Sequence, residues 1–254
     1  MLKHRVIPAL LLRNGGLAKT QRFKDPKYVG DPINAIRIFN EKEVDELLLL
    51  DITASKENRE PNFEMIKQIA GECFMPLAYG GGVRTVEQAE RIFASGVEKI
   101  CVQTAALDNL QLIRELADQF GSQSIMVSLD IKKNWLGRAQ AFAAAQGKPL
   151  SNDWLQLLSD YVDAGAGEVL LNAVDKDGTL SGPDLDVIRQ ASERIEVPLI
   201  AVGGVSSLAD IKFAVEAGAS AVAAGAFFVY HGPHRAVLIT YPKYHELEQL
   251  FSTP

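Results

Sequence analysis

Residues 75–104 and 197–226 carry the same pattern without a gap. Pro76 and Pro198, Gly82 and Gly204, and Gly96 and Gly218 each stand 122 residues apart, which marks an internal duplication. Each copy reads as strand, glycine turn, amphipathic helix and strand, in the first case PLAYG, GGVRT, VEQAERIFASG and EKICVQT. Such a βαβ unit needs helices outside parallel strands and crosses right-handed. Two of them half a chain apart predict a closed parallel barrel of two related halves. The glycines also have a chemical reading. A turn without Cβ lets backbone N–H groups approach an anion, and a helix N-terminus behind it adds partial positive charge. Gly81-Gly82 and Gly203-Gly204 therefore predict two phosphate cradles on opposite sides of one mouth, and a substrate with a phosphate at each end.

The 254 residues and 47% hydrophobic content suit one eightfold barrel over residues 1–254, with no second domain. A net charge of −6 argues against nucleic acid as a partner. Cys73 and Cys101 both fall in apolar elements, which speaks against a disulfide framework and for a reducing cytoplasm. The opening MLKHRVIPALLL has the basic-then-apolar order of a signal peptide, but Pro8 and the lack of a small-residue cleavage site make it a first strand. No apolar run reaches the ~18 residues of a membrane span.

Strand one covers residues 5–12, and the next eighteen, 13–30, read as a basic, lid-like loop carrying Lys19. Asp31-Pro32 starts a helix as N-cap and first residue. Strand two ends on Asp51. Strand five, SIMVSLD, opens the second half and ends on Asp130, which stands opposite Leu11 when the two halves are aligned. Residues 134–149 read as an excursion or hairpin above the barrel, and strand six covers 168–175. A weakly patterned tail, HGPHRAVLITYPKY, precedes a terminal helix over 244–251. Eight strands alternate with helices.

Chemistry in a closed parallel barrel sits at the C-terminal strand ends, which here carry Asp51, Thr104, Asp130, Asn172 and Asp177. Asp130 is the first candidate for a general acid or base, whereas Asp51 divides evenly between that role and holding the loop after it. At the other end, Arg5, Glu46, Lys99 and Glu168 begin strands one, two, four and six. Two cations and two anions around the bottom opening can form a paired ionic plug. His4, His231, His234 and His245 lack metal-ligand spacing, so neither a metal nor a cofactor is expected.

The stretches RVIPAL, DELLLLDITAS, LAYGGGV, TAAL, FGSQSIMVSLDIK, GAGEVLLNAVDKDGT and AVGGV resemble the HisF family, the cyclase subunit of imidazole glycerol phosphate synthase, over residues 1 to about 228. DITAS, FGSQ and DKDGT in this order set the chain apart from the related half-barrel isomerase HisA. The resemblance implies a (β/α)8 TIM barrel that takes ammonia from a HisH-like glutaminase docked at its bottom and uses it on a bis-phosphorylated substrate at its top. It assigns Arg5, Glu46, Lys99 and Glu168 to an ammonia gate, Glu98 to the glutaminase contact, the flexible-loop lysine to Lys19, and catalysis to Asp130. Substrate and phosphate binding fall to Gly82, Thr104, Gly178, Gly204 and Gly225, with Asp51, Asp177 and Thr179 beside them.

Two site positions depart from the family. Leu11 stands where the family carries its other catalytic aspartate, and Gln103 where it carries asparagine; the tail VLITYP is also foreign. Leucine cannot transfer a proton, while ammonia delivery does not use this position. The pattern resembles HisF-like paralogues of lipopolysaccharide (O-antigen) clusters, which supply ammonia to a separate sugar amidotransferase that installs an acetamidino group. Two other readings stay open: a histidine-pathway cyclase that tolerates Leu11, and a non-catalytic barrel that only activates a glutaminase.

Overall fold

The computed structural model describes residues 4–252; residues 1–3 of the leader-like opening, and 253–254, lie outside that range. Eight parallel strands form a barrel: β1 (Arg5–Arg13), β2 (Leu47–Asp51), β3 (Leu77–Gly80), β4 (Lys99–Val102), β5 (Ile125–Lys133), β6 (Glu168–Ala173), β7 (Leu199–Val202) and β8 (Ala221–Ala224). Each pairs with the next, and β8 returns to β1 through Arg5↔Ala221, so the sheet closes.

Around it run α1 (Pro32–Glu41), α2 (Phe63–Glu72), α3 (Val86–Phe93), α4 (Leu110–Phe120), α5 (Trp154–Asp163), α6 (Leu185–Ser192), α7 (Leu208–Glu216) and α8 (Tyr244–Ser252). Local sequence sets most of these starts. The side chains of Asp31, Asn62, Thr85, Asn109, Asp153, Asp184 and Ser207 each accept a backbone N–H from the first turn that follows.

Strand alternation separates two cores. On β5, Ile125, Val127, Leu129 and Ile131 pack outward among the helices, whereas Met126 belongs to a separate cluster inside the barrel. That inner cluster joins Ile7, Leu48, Cys101, Leu170 and Ile200 to four alanines, Ala9, Ala78, Ala221 and Ala223. Small side chains thus thin the middle of the bore. Both cysteines are free thiols, and among the described residues no helix is long and apolar enough to cross a membrane.

The stretch after β1 corrects the expectation of an unstructured loop. Gly16–Gln21 and Lys24–Gly30 form an antiparallel hairpin that extends β1 through Leu11↔Ala18 and Leu12↔Leu17. The excursion after β5 is also a hairpin, with Ala139–Ala143 paired to the end of that strand. The tail makes a short ladder, Tyr230–His231 with Ala236–Val237, and then runs back along residues 228 and 229.

Candidate functional site

At the N-terminal ends of the strands the four predicted charges close a ring. Arg5 donates through one guanidinium nitrogen to Glu46 and through the other to Glu168. Lys99 Nζ lies 3.2 Å from Glu46 Oε1 and 2.9 Å from Glu168 Oε2. Every charge therefore has two partners of opposite sign. Glu46 and Glu168 are 3% and 4% exposed, a burial that carboxylates tolerate only when their pairing is complete. Glu98, beside Lys99, is exposed at the same end.

At the opposite end a cavity of about 190 Å³ opens among the strand ends, with Ala9, Leu48, Cys101 and Leu170 of the bore as its floor. Its sides differ in character. Gln103, Ser128, Asp130 and Asn172, from neighbouring strands β4 to β6 and their ends, make a polar side. Leu11, Leu50 and Val202, from β1, β2 and β7, make an apolar one.

Asp130 is 3% exposed, and burial pushes its carboxyl up to about 7 even though hydrogen bonds from Gln103 and Asn172 favour the charged form. A carboxyl raised in this way contributes stability that is fully present below its ordinary 3.8 and is lost as pH climbs through about 7. Asp130→Asn should therefore melt above wild type at about pH 8, with the gap narrowing toward about pH 5. Thermal denaturation at both values checks this; a gap independent of pH would mean an ordinary carboxylate.

The hairpin closes the mouth from the β1 side. Lys19, only 5% exposed, donates to the Ala9 carbonyl, packs against Gly225, and is lowered to about 8 by burial while the charge of Asp177 opposes that shift. The far turn is fastened to the loop after β6. Thr20 Oγ1 and the Phe23 N–H donate to Asp177 Oδ2 at 2.7 and 3.1 Å, and the Arg22 N–H donates to the Asp177 carbonyl at 2.9 Å. Gly178 permits this contact, because a Cβ there would strike the Thr20 carbonyl oxygen.

The two glycine turns occupy equivalent places. Gly81 and Gly203 hold φ of 123° and 108°, and a Cβ on either would meet the carbonyl oxygen of Asp51 or of Ala173, positions again 122 apart. Gly82 and Gly204 are crowded in the same manner by the carbonyls of Arg59 and Gly182. Packing against the preceding loops thus requires glycine here, and the backbone so exposed lines the mouth with Thr104 and Gly225.

This barrel, with a ring at one end and paired glycine turns at the other, has close relatives. A family model described as "Histidine biosynthesis protein" matches residues 5–234. A Streptococcus sanguinis protein named "Imidazole glycerol phosphate synthase subunit HisF" is 39% identical over 232 residues, 91% of this chain and 92% of that one. The chain belongs to the HisF family. Another HisF relative, from Pseudomonas aeruginosa and named "Putative imidazole glycerol phosphate synthase subunit hisF2", is 52% identical over 249 residues, 98% of this chain and 99% of its own.

Against the HisF expectations, the structure gathers Lys19, Gly82, Thr104, Asp130, Asp177, Gly178, Gly204 and Gly225 around one mouth, with Leu11 and Gln103 among them. Asp51 also reaches it, and there it holds the loop that follows β2. Its Oδ1 accepts from the Thr53 N–H, the Thr53 hydroxyl and the Ala54 N–H at 3.0, 2.9 and 3.1 Å, and Oδ2 faces Arg59 at 3.4 Å. The Thr179 hydroxyl bonds locally to the Lys176 carbonyl and to Ser181, each at 2.8 Å, and does not line the mouth. Among the described residues no group of three or more His, Cys, Asp or Glu is placed to hold a metal. The tie between Gln103 and Asp130 was not legible in the sequence, where Gln103 stood out only as a departure.

Proposed function

We propose that this chain is a HisF-type, cyclase-lineage synthase subunit that receives ammonia from a HisH-like glutaminase at the charged ring and passes it up the bore. The ammonia then serves acetamidino-sugar formation in surface polysaccharide (O-antigen) biosynthesis, together with a separate sugar amidotransferase. The order of parts along the barrel axis carries the reading: a paired ring, an apolar bore thinned by alanines, and one buried carboxyl at the mouth. Among the described residues the buried charged side chains above the ring, Lys19 and Asp130, stand at the mouth, and the apolar bore below them suits neutral ammonia and disfavours ammonium, whose charge would have no partner there.

Two further features bear on the ligand at the mouth. The glycine turns, with Thr104 on one side and Gly225 and Lys19 on the other, support anion cradles for a bis-phosphorylated molecule. Leu11 removes the second acid or base from that site, which favours ammonia supply over ring closure. Relatives named as imidazole glycerol phosphate synthase subunits, and the survival of Asp130, favour the histidine-pathway cyclase as second reading.

Co-expression with a HisH-like glutaminase tests the proposal. Wild type should retain the glutaminase through affinity purification and support glutamine-dependent turnover once acceptors are screened. Glu98→Lys places like charge at the exposed ring end, a change that costs several kcal/mol across a contact, and should lose at least about tenfold in retention. Equal retention by the variant would move the docking face elsewhere.

A further inference from the structure

The first residues of β1 have a strand partner on one side only. Pairing with β8 runs from Arg5↔Ala221 to Pro8↔Ala224, whereas pairing with β2 starts at Ala9↔Leu48. Side chains fill the gap on the β2 side. Asp45, two residues before β2, accepts the Val6 N–H at 3.5 Å, and the Tyr241 hydroxyl donates to the Val6 carbonyl at 2.8 Å. The same hydroxyl stands beside the Asp45 carboxylate.

Tyr241 arrives from the far end of the chain, 235 residues from Val6. Its ring rests on Phe228 with centroids 5.3 Å apart, and the tail before it is anchored by Leu238 N–H to Val229 O and Thr240 N–H to Phe228 O, both 2.9 Å. Arg5, next to Val6, makes two of the ring's ion pairs and has its most exposed side chain, at 30% against 21% for Lys99. The strand end bearing the loosest member of the ring is thus fixed from outside by the tail. Asp45 is half-buried and burial raises its carboxyl, so the polar contact is a poor source of stability compared with an apolar filler.

We propose that Tyr241 and Asp45 are positioning residues for the charged ring. They hold the Val6 peptide so that Arg5 can bridge Glu46 and Glu168, and loosening them opens the bottom of the bore to solvent. Closure does not depend on what crosses the ring; that ammonia crosses it rests on the function proposed above.

Met126 reports the ring's closure without any acceptor. It stands level with Glu168 in the β5–β6 register, is 1% exposed, and lies below the residues that line the mouth. Hydrogen peroxide converts an accessible thioether to the sulfoxide, and peptide mapping of the full chain gives the Met126 rate relative to Met75, which is buried in the outer core. Tyr241→Phe keeps the aromatic ring and drops the hydroxyl. It should raise the Met126-to-Met75 ratio roughly fivefold, what losing one hydrogen bond is worth, with little change in melting temperature. Arg5→Ala should raise the ratio further. The proposal fails if Tyr241→Phe leaves the ratio unchanged, or if both methionines oxidise faster in equal measure. It fails also if Arg5→Ala has no effect, since the ring is then not the barrier. Failure of the ammonia reading would show differently, as absent glutamine-dependent turnover beside an unaltered Met126 result.

Discussion

Leu11→Asp should raise turnover of the histidine-pathway substrate by ~10²–10⁴-fold when an ammonium salt replaces the glutaminase, with little change in substrate affinity. Leu11 lines the mouth together with Asp130, and its side chain is only partly buried, so a carboxylate there would keep contact with solvent. Lys19 follows Ala18, the hairpin partner of Leu11, and supplies a nearby cation for the new charge. The two glycine turns follow other strands and the ring lies at the opposite end of the barrel, so both should be untouched. Steady-state rates beside an authentic HisF decide the matter. Wild-type turnover equal to that enzyme would show that Leu11 is no handicap, and would put the histidine-pathway cyclase first.

Removing one anion from the ring should have the largest effect on stability. Glu46 is the shared partner of Arg5 and Lys99, and Glu46→Ala leaves two cations facing Glu168 alone. Breaking a buried network in this way costs about 3 kcal/mol, or roughly 10 °C in melting temperature for a chain of this size. Replacing Arg5, Glu46, Lys99 and Glu168 together by Met and Leu should behave differently. Apolar residues of similar volume often match or exceed a buried ion network, so this variant should regain wild-type stability while losing glutamine-dependent function. Differential scanning calorimetry of the two variants checks both statements. A quadruple variant as unstable as Glu46→Ala would make the ring a stabilising element.

The barrel was legible because its signals are local and repeated. A gapless echo of strand, glycine turn and helix fixes four of the eight strands, and capping residues mark the helix starts. Strand-end position then singled out Asp130, and strand-start position the four ring charges. The hairpin over residues 16–30 escaped for two physical reasons. Lys19 is a charged residue in a buried position, which spoils the period-two pattern, and the second turn uses Arg22 and Phe23 at φ of 53° and 61°, residues that do not announce a tight turn. Its first turn, Asn14-Gly15, with φ of 51° and 82°, does carry a local hairpin signal. The contacts of Tyr241 with Val6 and of Gln103 with Asp130 join distant positions, and nothing local in the sequence encodes them.

The ring has a property that neither half of the chain could possess alone. Glu46 and Glu168 occupy equivalent repeat positions, 122 apart, but the counterpart of Lys99 is Ala221, and in the alignment that sets Asp130 opposite Leu11 the counterpart of Arg5 is Ser124. Two copies of the first half would gather two arginines, two lysines and two glutamates, a surplus of two positive charges. Two copies of the second half would bring two glutamates and no cation, a surplus of two negative charges. Only the unlike pairing sums to zero, so electroneutrality at the bore entrance rewards covalent fusion of diverged halves over self-assembly of identical ones.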